Sequence, residues 1–104
     1  MTKSKEAKGI GQYVVITTDN TRRGVFGGYL KSYDQDKSIV VLTDARMAVY
    51  WSKESKGVIG LGSIGPQKGS RITPSIPRIE LNGVTAVINC TEEAVRQWNL
   101  GIWD

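Results

Sequence analysis

Ile39-Val40-Val41-Leu42-Thr43-Asp44-Ala45-Arg46-Met47-Ala48-Val49-Tyr50-Trp51 is the stretch on which the fold turns. It opens with an unbroken apolar run rich in β-branching, too short for an ordinary helix and suited to a strand buried on both faces. Asp44-Ala45-Arg46 interrupts that run, and Met47 to Trp51 then reads as a further strand ending at the polar turn Ser52-Lys53-Glu54-Ser55-Lys56. If that strand begins at Arg46, alternation places Arg46, Ala48 and Tyr50 on one side and Met47, Val49 and Trp51 on the other. Arg46 then shares a face with Tyr50, while Trp51 serves the core.

On the N-terminal side, Tyr13-Val14-Val15-Ile16-Thr17 is a first strand and Asp19-Asn20-Thr21 a turn. Val25, Phe26, Tyr29 and Leu30 form a second strand, with Gly27-Gly28 marking a bulge or bend. A polar turn over Tyr33 to Lys37 leads into Ile39, which completes a meander. Downstream, Gly57 to Gly69 holds five of the twelve glycines together with Pro66 and reads as an irregular, functional loop. Pro74 and Pro77 hold Ser75-Ile76 extended. Ile79 to Leu81 and Val84 to Ile88 flank Asn82-Gly83, which is either a hairpin turn or a bulge in one longer strand. Thr91 as N-cap, Glu92-Glu93 at the positive end and Gly101 as stop predict a helix over 91–100. The expected fold is mainly β (α+β), a small antiparallel sheet or barrel-like roll with one short C-terminal helix.

A chain of 104 residues supports one core. Residues 1–10 are expected to be a basic, mobile arm and 11–104 a single β-rich domain. Cys90 is the lone cysteine and histidine is absent, which excludes an intramolecular disulfide, the usual zinc clusters and every histidine-based triad. No metal, cofactor or catalytic residue is expected. The formal charge of +4 favours an anionic partner. With no long apolar run and no basic-then-apolar leader, the expected compartment is the cytoplasm and no membrane partner is expected.

Gly60-Leu61-Gly62-Ser63-Ile64-Gly65 spells G-x-G-x-x-G, in which backbone N–H groups approach a pyrophosphate at a helix start. Pro66 and Gly69 break the long helix such a motif needs after it, and too little chain remains for a parallel sheet, so a dinucleotide fold is rejected. Lys68-Gly69-Ser70 has the wrong order for a phosphate-binding lysine loop. A loop lining an anion pocket remains, with Gly60, Gly62, Ser63, Gly65, Lys68 and Ser70 as its candidate residues, against a bland reading as flexible or packing loop. Arg22, Arg23, Arg46 and Arg71 recur at strand ends and in loops, where a guanidinium reaches a phosphate bidentately. Surface solvation is the bland alternative for each. Arginine beside Tyr50 and Trp51 is the combination that holds a base and a phosphate together. Trp98, Ile102 and Trp103 carry more apolar surface than so small a core hides, and are expected at a homo-oligomer interface.

Val25-Phe26-Gly27 after a basic pair, Val41-Leu42-Thr43-Asp44-Ala45-Arg46 running into Tyr50-Trp51, and Ile79-Glu80-Leu81 leading through Val84 and Val87 to Thr91-Glu92-Glu93-Ala94 resemble a family of small uncharacterised bacteriophage proteins, over roughly residues 12–95. The resemblance implies no reaction. At the level of class, the chain is similar to phage anti-defence sponges, compact oligomers that withhold cyclic or ADP-ribose-type nucleotide signals from host effectors. That likeness implies a host-cytoplasmic binder of a small anionic nucleotide, without catalysis, its pocket between subunits. The alternatives are a single-stranded nucleic-acid binder and a virion or assembly component.

Overall fold

The computed structural model describes residues 10–19 and 24–103. The expected basic arm therefore lies almost wholly outside the described residues, as do Arg22 and Arg23. Three long strands form the meander: β1 (Tyr13–Thr18), β2 (Gly24–Asp34) and β3 (Ile39–Tyr50). The last of these corrects the expectation of two strands. One strand of twelve residues runs through Asp44, which sits in the left-handed region at φ 48°. Opposite it, Tyr29 pairs with Thr43 and Gly27 with Arg46, so β3 carries one extra residue there. Asp44 is thus a bulge, a position aspartate tolerates better than most residues. The Asp34 carboxylate accepts from the Lys37 N–H at 3.2 Å, fixing the turn between β2 and β3.

Two short strands come next, on the outer edge of β3: β4 (Arg71–Ile72) and β5 (Ile76–Leu81). β6 (Val84–Asn89) lies on the outer edge of β1, and every pairing in the six-stranded sheet is antiparallel. The directions decide between the two readings of Asn82-Gly83. Since β1 and β3 both run opposite to β2, they run parallel to each other. β5 opposes β3 and β6 opposes β1, so β5 and β6 run the same way. A hairpin would reverse them. The chain instead continues through a corner, with Gly83 at φ 68°, and passes from one side of the sheet to the other. The sheet is thereby rolled, as expected.

Rolling gives β1 two covered faces, which explains why Tyr13 to Ile16 are all buried rather than alternating. Val14, Ile16, Leu30, Val40, Leu42, Ala45 and Leu81 fill the inside. Tyr13, Val15, Val25, Ala48, Leu61, Ile72 and Trp98 form a second cluster on the outside, under two helices.

The first helix, α1 (Gly57–Ser63), corrects the expected loop. Glycine is a poor helix former, so packing and not propensity builds this element. A Cβ on Gly60 would collide with the Ser55 carbonyl oxygen, and one on Gly62 would stand 2.6 Å from Ile88 Cγ2. The second helix, α2 (Glu92–Leu100), is the one expected. The Thr91 hydroxyl accepts from the Ala94 N–H at 3.1 Å, and Gly101 ends the helix at φ 63°.

Candidate functional site

The glycine tract does not form an open cradle. Gly60, Gly62 and Gly65 are buried, and a Cβ on Gly65 would stand 2.5 Å from Gln97 Cβ. The Ser63 carbonyl accepts from the Thr91 hydroxyl and the Gly62 carbonyl from the Thr91 N–H, tying α1 to the start of α2. Ser70 is fully buried, and its hydroxyl oxygen accepts from the Ser52 N–H at 3.1 Å. Its place beside Ser52 and Ser55 is structural. Lys68 is exposed on the turn after α1.

Arg46 lies at the other end of α2. Its Nη1 donates to the Thr73 carbonyl at 3.1 Å, and a Cβ on Gly101 would stand 2.8 Å from the same nitrogen. A guanidinium under the last turn of a helix meets the carbonyl end of the helix dipole, which is where a cation is stabilised. The nine residues of α2 at about 1.5 Å each separate this position from the Gly62–Thr91 contact by roughly 13 Å. Arg46 and the glycine tract therefore do not converge. Arg46 instead helps line an open cleft of about 470 Å³ with Ile72, Pro74, Leu100, Gly101 and Trp103. Its Nε is buried, with no hydrogen-bond partner among the described residues.

A different set of residues comes together. Tyr50 on β3 pairs with Arg71 on β4, and Arg71 pairs in turn with Trp103, an isolated antiparallel bridge that adds the C-terminus to the sheet. The Ile72 N–H donates to the Ile102 carbonyl at 2.6 Å beside it. Residues directly opposite in a sheet project from one face with Cβ atoms about 5 Å apart. Tyr50, Arg71 and Trp103 thus form a row across three chain segments, an arginine paired with an aromatic residue on either side, with the register shifting between Ala48 and Tyr50. Tyr50 is 55% and Trp103 57% exposed, and Arg71 is exposed as well. Sequence reading brought Tyr50 and Arg71 to one site and missed Trp103. No local signal marks it, because its partner lies 32 positions away.

Trp51 is half-buried against the outer cluster, lining a separate groove of about 450 Å³ with Val25, Met47 and Val58. Trp98 corrects the interface expectation. It is fully buried, its indole N–H donates to the Leu61 carbonyl at 3.0 Å, and its ring lies so close to Gly27 that a Cβ there would be 2.8 Å away. It anchors α2 to the sheet and offers nothing to a partner. Ile102 is half-buried and Trp103 exposed.

Two titrating groups sit in the outer cluster. Burial raises the Tyr13 phenol well above its ordinary value, reinforced by Cys90, and the phenol oxygen has no hydrogen-bond partner among the described residues. Burial likewise pushes the Cys90 thiol up to about 12, which keeps it protonated and unreactive near neutrality. No helix among the described residues is long and apolar enough to cross a membrane.

No curated protein and no solved structure matches the chain. Residues 11–98 match a family described as "Domain of unknown function (DUF6948)", a span from just before β1 to Trp98 that takes in all six strands and leaves Trp103 outside. The chain belongs to the DUF6948 family.

Proposed function

We propose that this protein binds a small anionic nucleotide without transforming it. One observation supports the reading: a cross-strand row in which the exposed Arg71 pairs with the exposed aromatic residues Tyr50 and Trp103. A planar base stacks on an aromatic face, and the adjacent guanidinium takes the phosphate through two parallel N–H···O bonds. The cleft beside Trp103 supplies room for a second part of the ligand, with Arg46 in its wall. In a bacteriophage setting, such a protein acts as an anti-defence sponge, holding a cyclic or ADP-ribose-type nucleotide signal away from host effectors.

A thermal-shift and tryptophan-fluorescence screen against cyclic dinucleotides and ADP-ribose derivatives tests this. A ligand present at 100 times its dissociation constant stabilises the fold by about 2.7 kcal/mol and quenches Trp103. Absence of both effects with every compound removes the proposal. The open position of the row on the sheet favours a second reading, a single-stranded nucleic acid laid across it. Binding of a polymer through several phosphates weakens log-linearly with salt, whereas a single nucleotide responds far less.

A further inference from the structure

Asn82-Gly83 carries the sequence signal of a tight hairpin turn, yet it turns no hairpin: it forms the corner through which β5 passes into β6. Glycine is required at position 83 by a φ of 68°. Nothing in the corner requires asparagine at position 82. Its backbone is not left-handed, its side chain is exposed, and its carboxamide has no hydrogen-bond partner among the described residues.

The corner is tied on both sides. The Gly83 carbonyl accepts from the Asp19 N–H at 3.0 Å, just past the end of β1, and the Val84 N–H donates to the Ser38 carbonyl at 3.2 Å, just before β3. The Gly83 N–H itself has no partner among the described residues. An exposed, unpartnered carboxamide therefore stands next to a free backbone N–H on a residue with no Cβ to obstruct an approach. Those are the parts of an intramolecular cyclisation.

We propose that Asn82 is a site of spontaneous deamidation through a succinimide, and that the isoaspartate product loosens the roll at this corner. The Gly83 nitrogen loses its proton to hydroxide and bonds to the side-chain carbonyl carbon of Asn82. The carboxamide C–N bond breaks, and its nitrogen takes up a proton and leaves as ammonia. Water then opens the ring. Attack at the side-chain carbonyl gives aspartate, and attack at the main-chain carbonyl gives isoaspartate, which carries the main chain through an additional methylene. Both products add a carboxylate, but only isoaspartate lengthens the link that the two backbone bonds hold in place. Asn20, Asn89 and Asn99 precede Thr21, Cys90 and Leu100, whose Cβ atoms hinder the same ring closure. Leu81 pairs with Val40 at the start of β3, whereas Tyr50 ends that strand, so the site lies apart from the nucleotide reading and does not rest on it.

Peptide mass spectrometry of the full folded chain, aged in mildly alkaline buffer beside a sample in concentrated urea, tests the site. The expected result is conversion of amide to carboxyl at position 82, no more than about tenfold slower in the folded chain than in urea, with Asn89 and Asn99 intact. Asn82→Gln abolishes the conversion and keeps the unfolding midpoint, since a longer side chain closes such a ring far more slowly. The isoaspartate form, separated by chromatography, unfolds at lower urea than freshly prepared Asn82→Asp. Stronger protection of Asn82 in the folded chain, conversion spread evenly over the other asparagines, or an isoaspartate form as stable as Asn82→Asp overturns the inference.

Discussion

The glycine tract of α1 and the row Tyr50–Arg71–Trp103 exchange the roles their sequences suggest. The tract carries the letters of a phosphate-binding motif, yet its glycines exist so that one helix can approach Ser55, Ile88 and α2. The row has no motif at all, yet strand pairing sets an exposed arginine next to two exposed aromatic residues. A backbone that is close to everything has no room for a ligand. Chemistry open to solvent is found where three distant segments meet at an edge.

The contrast can be broken first at the two tryptophans. Trp98→Ala removes a fully buried ring from the outer cluster and is expected to cost about 4 kcal/mol in urea unfolding. Trp103→Ala is expected to change stability by less than about 1 kcal/mol while removing nucleotide binding. Equal stability losses would mean that Trp103 is part of the core. Next in size, Gly60→Ala forces a Cβ onto the Ser55 carbonyl and is expected to cost about 3 kcal/mol, measured by the same unfolding. A neutral outcome would return the tract to the status of an adaptable loop.

Arg71→Ala is expected to weaken nucleotide binding by about 2 kcal/mol, roughly thirtyfold, with little change in stability, as calorimetry would read it. The smallest effect concerns pH. The Cys90 thiol ionises near 9 when unfolded and near 12 when folded, so the unfolded chain loses its proton first as pH rises. Stability is then full below pH 9 and declines between pH 9 and 12, with the raised Tyr13 phenol acting in the same direction above pH 10. Cys90→Ala should flatten the first part of that decline in unfolding measured across pH, and an unchanged profile would exclude the thiol as its source.

Much of the sheet is legible in the sequence because β-branched runs at Tyr13–Thr17 and Ile39–Leu42 leave few alternatives to strand. The helix α2 is legible because Thr91 and Gly101 are local start and stop chemistry. α1 is not, since glycine disfavours helix and only tertiary contact reverses that preference. The Asp44 bulge reads as a break for the same reason that it bends the strand: a polar residue in the left-handed region interrupts the apolar pattern. Of the expected site, Tyr50 and Arg71 are brought together by cross-strand register. Arg46 is drawn beneath the end of α2 and the glycines into packing. Pairings between segments decided each of these outcomes, and composition carries no record of pairings.

The most direct test is a ¹H–¹⁵N titration of the protein with whichever nucleotide stabilises it in the thermal screen. A ligand seated on the cross-strand row shifts the amides of Tyr50 and Arg71 and the Trp103 indole N–H, and leaves Gly60 to Gly65 unmoved. Shifts confined to Gly60–Gly65, with Tyr50, Arg71 and Trp103 unchanged, would contradict it.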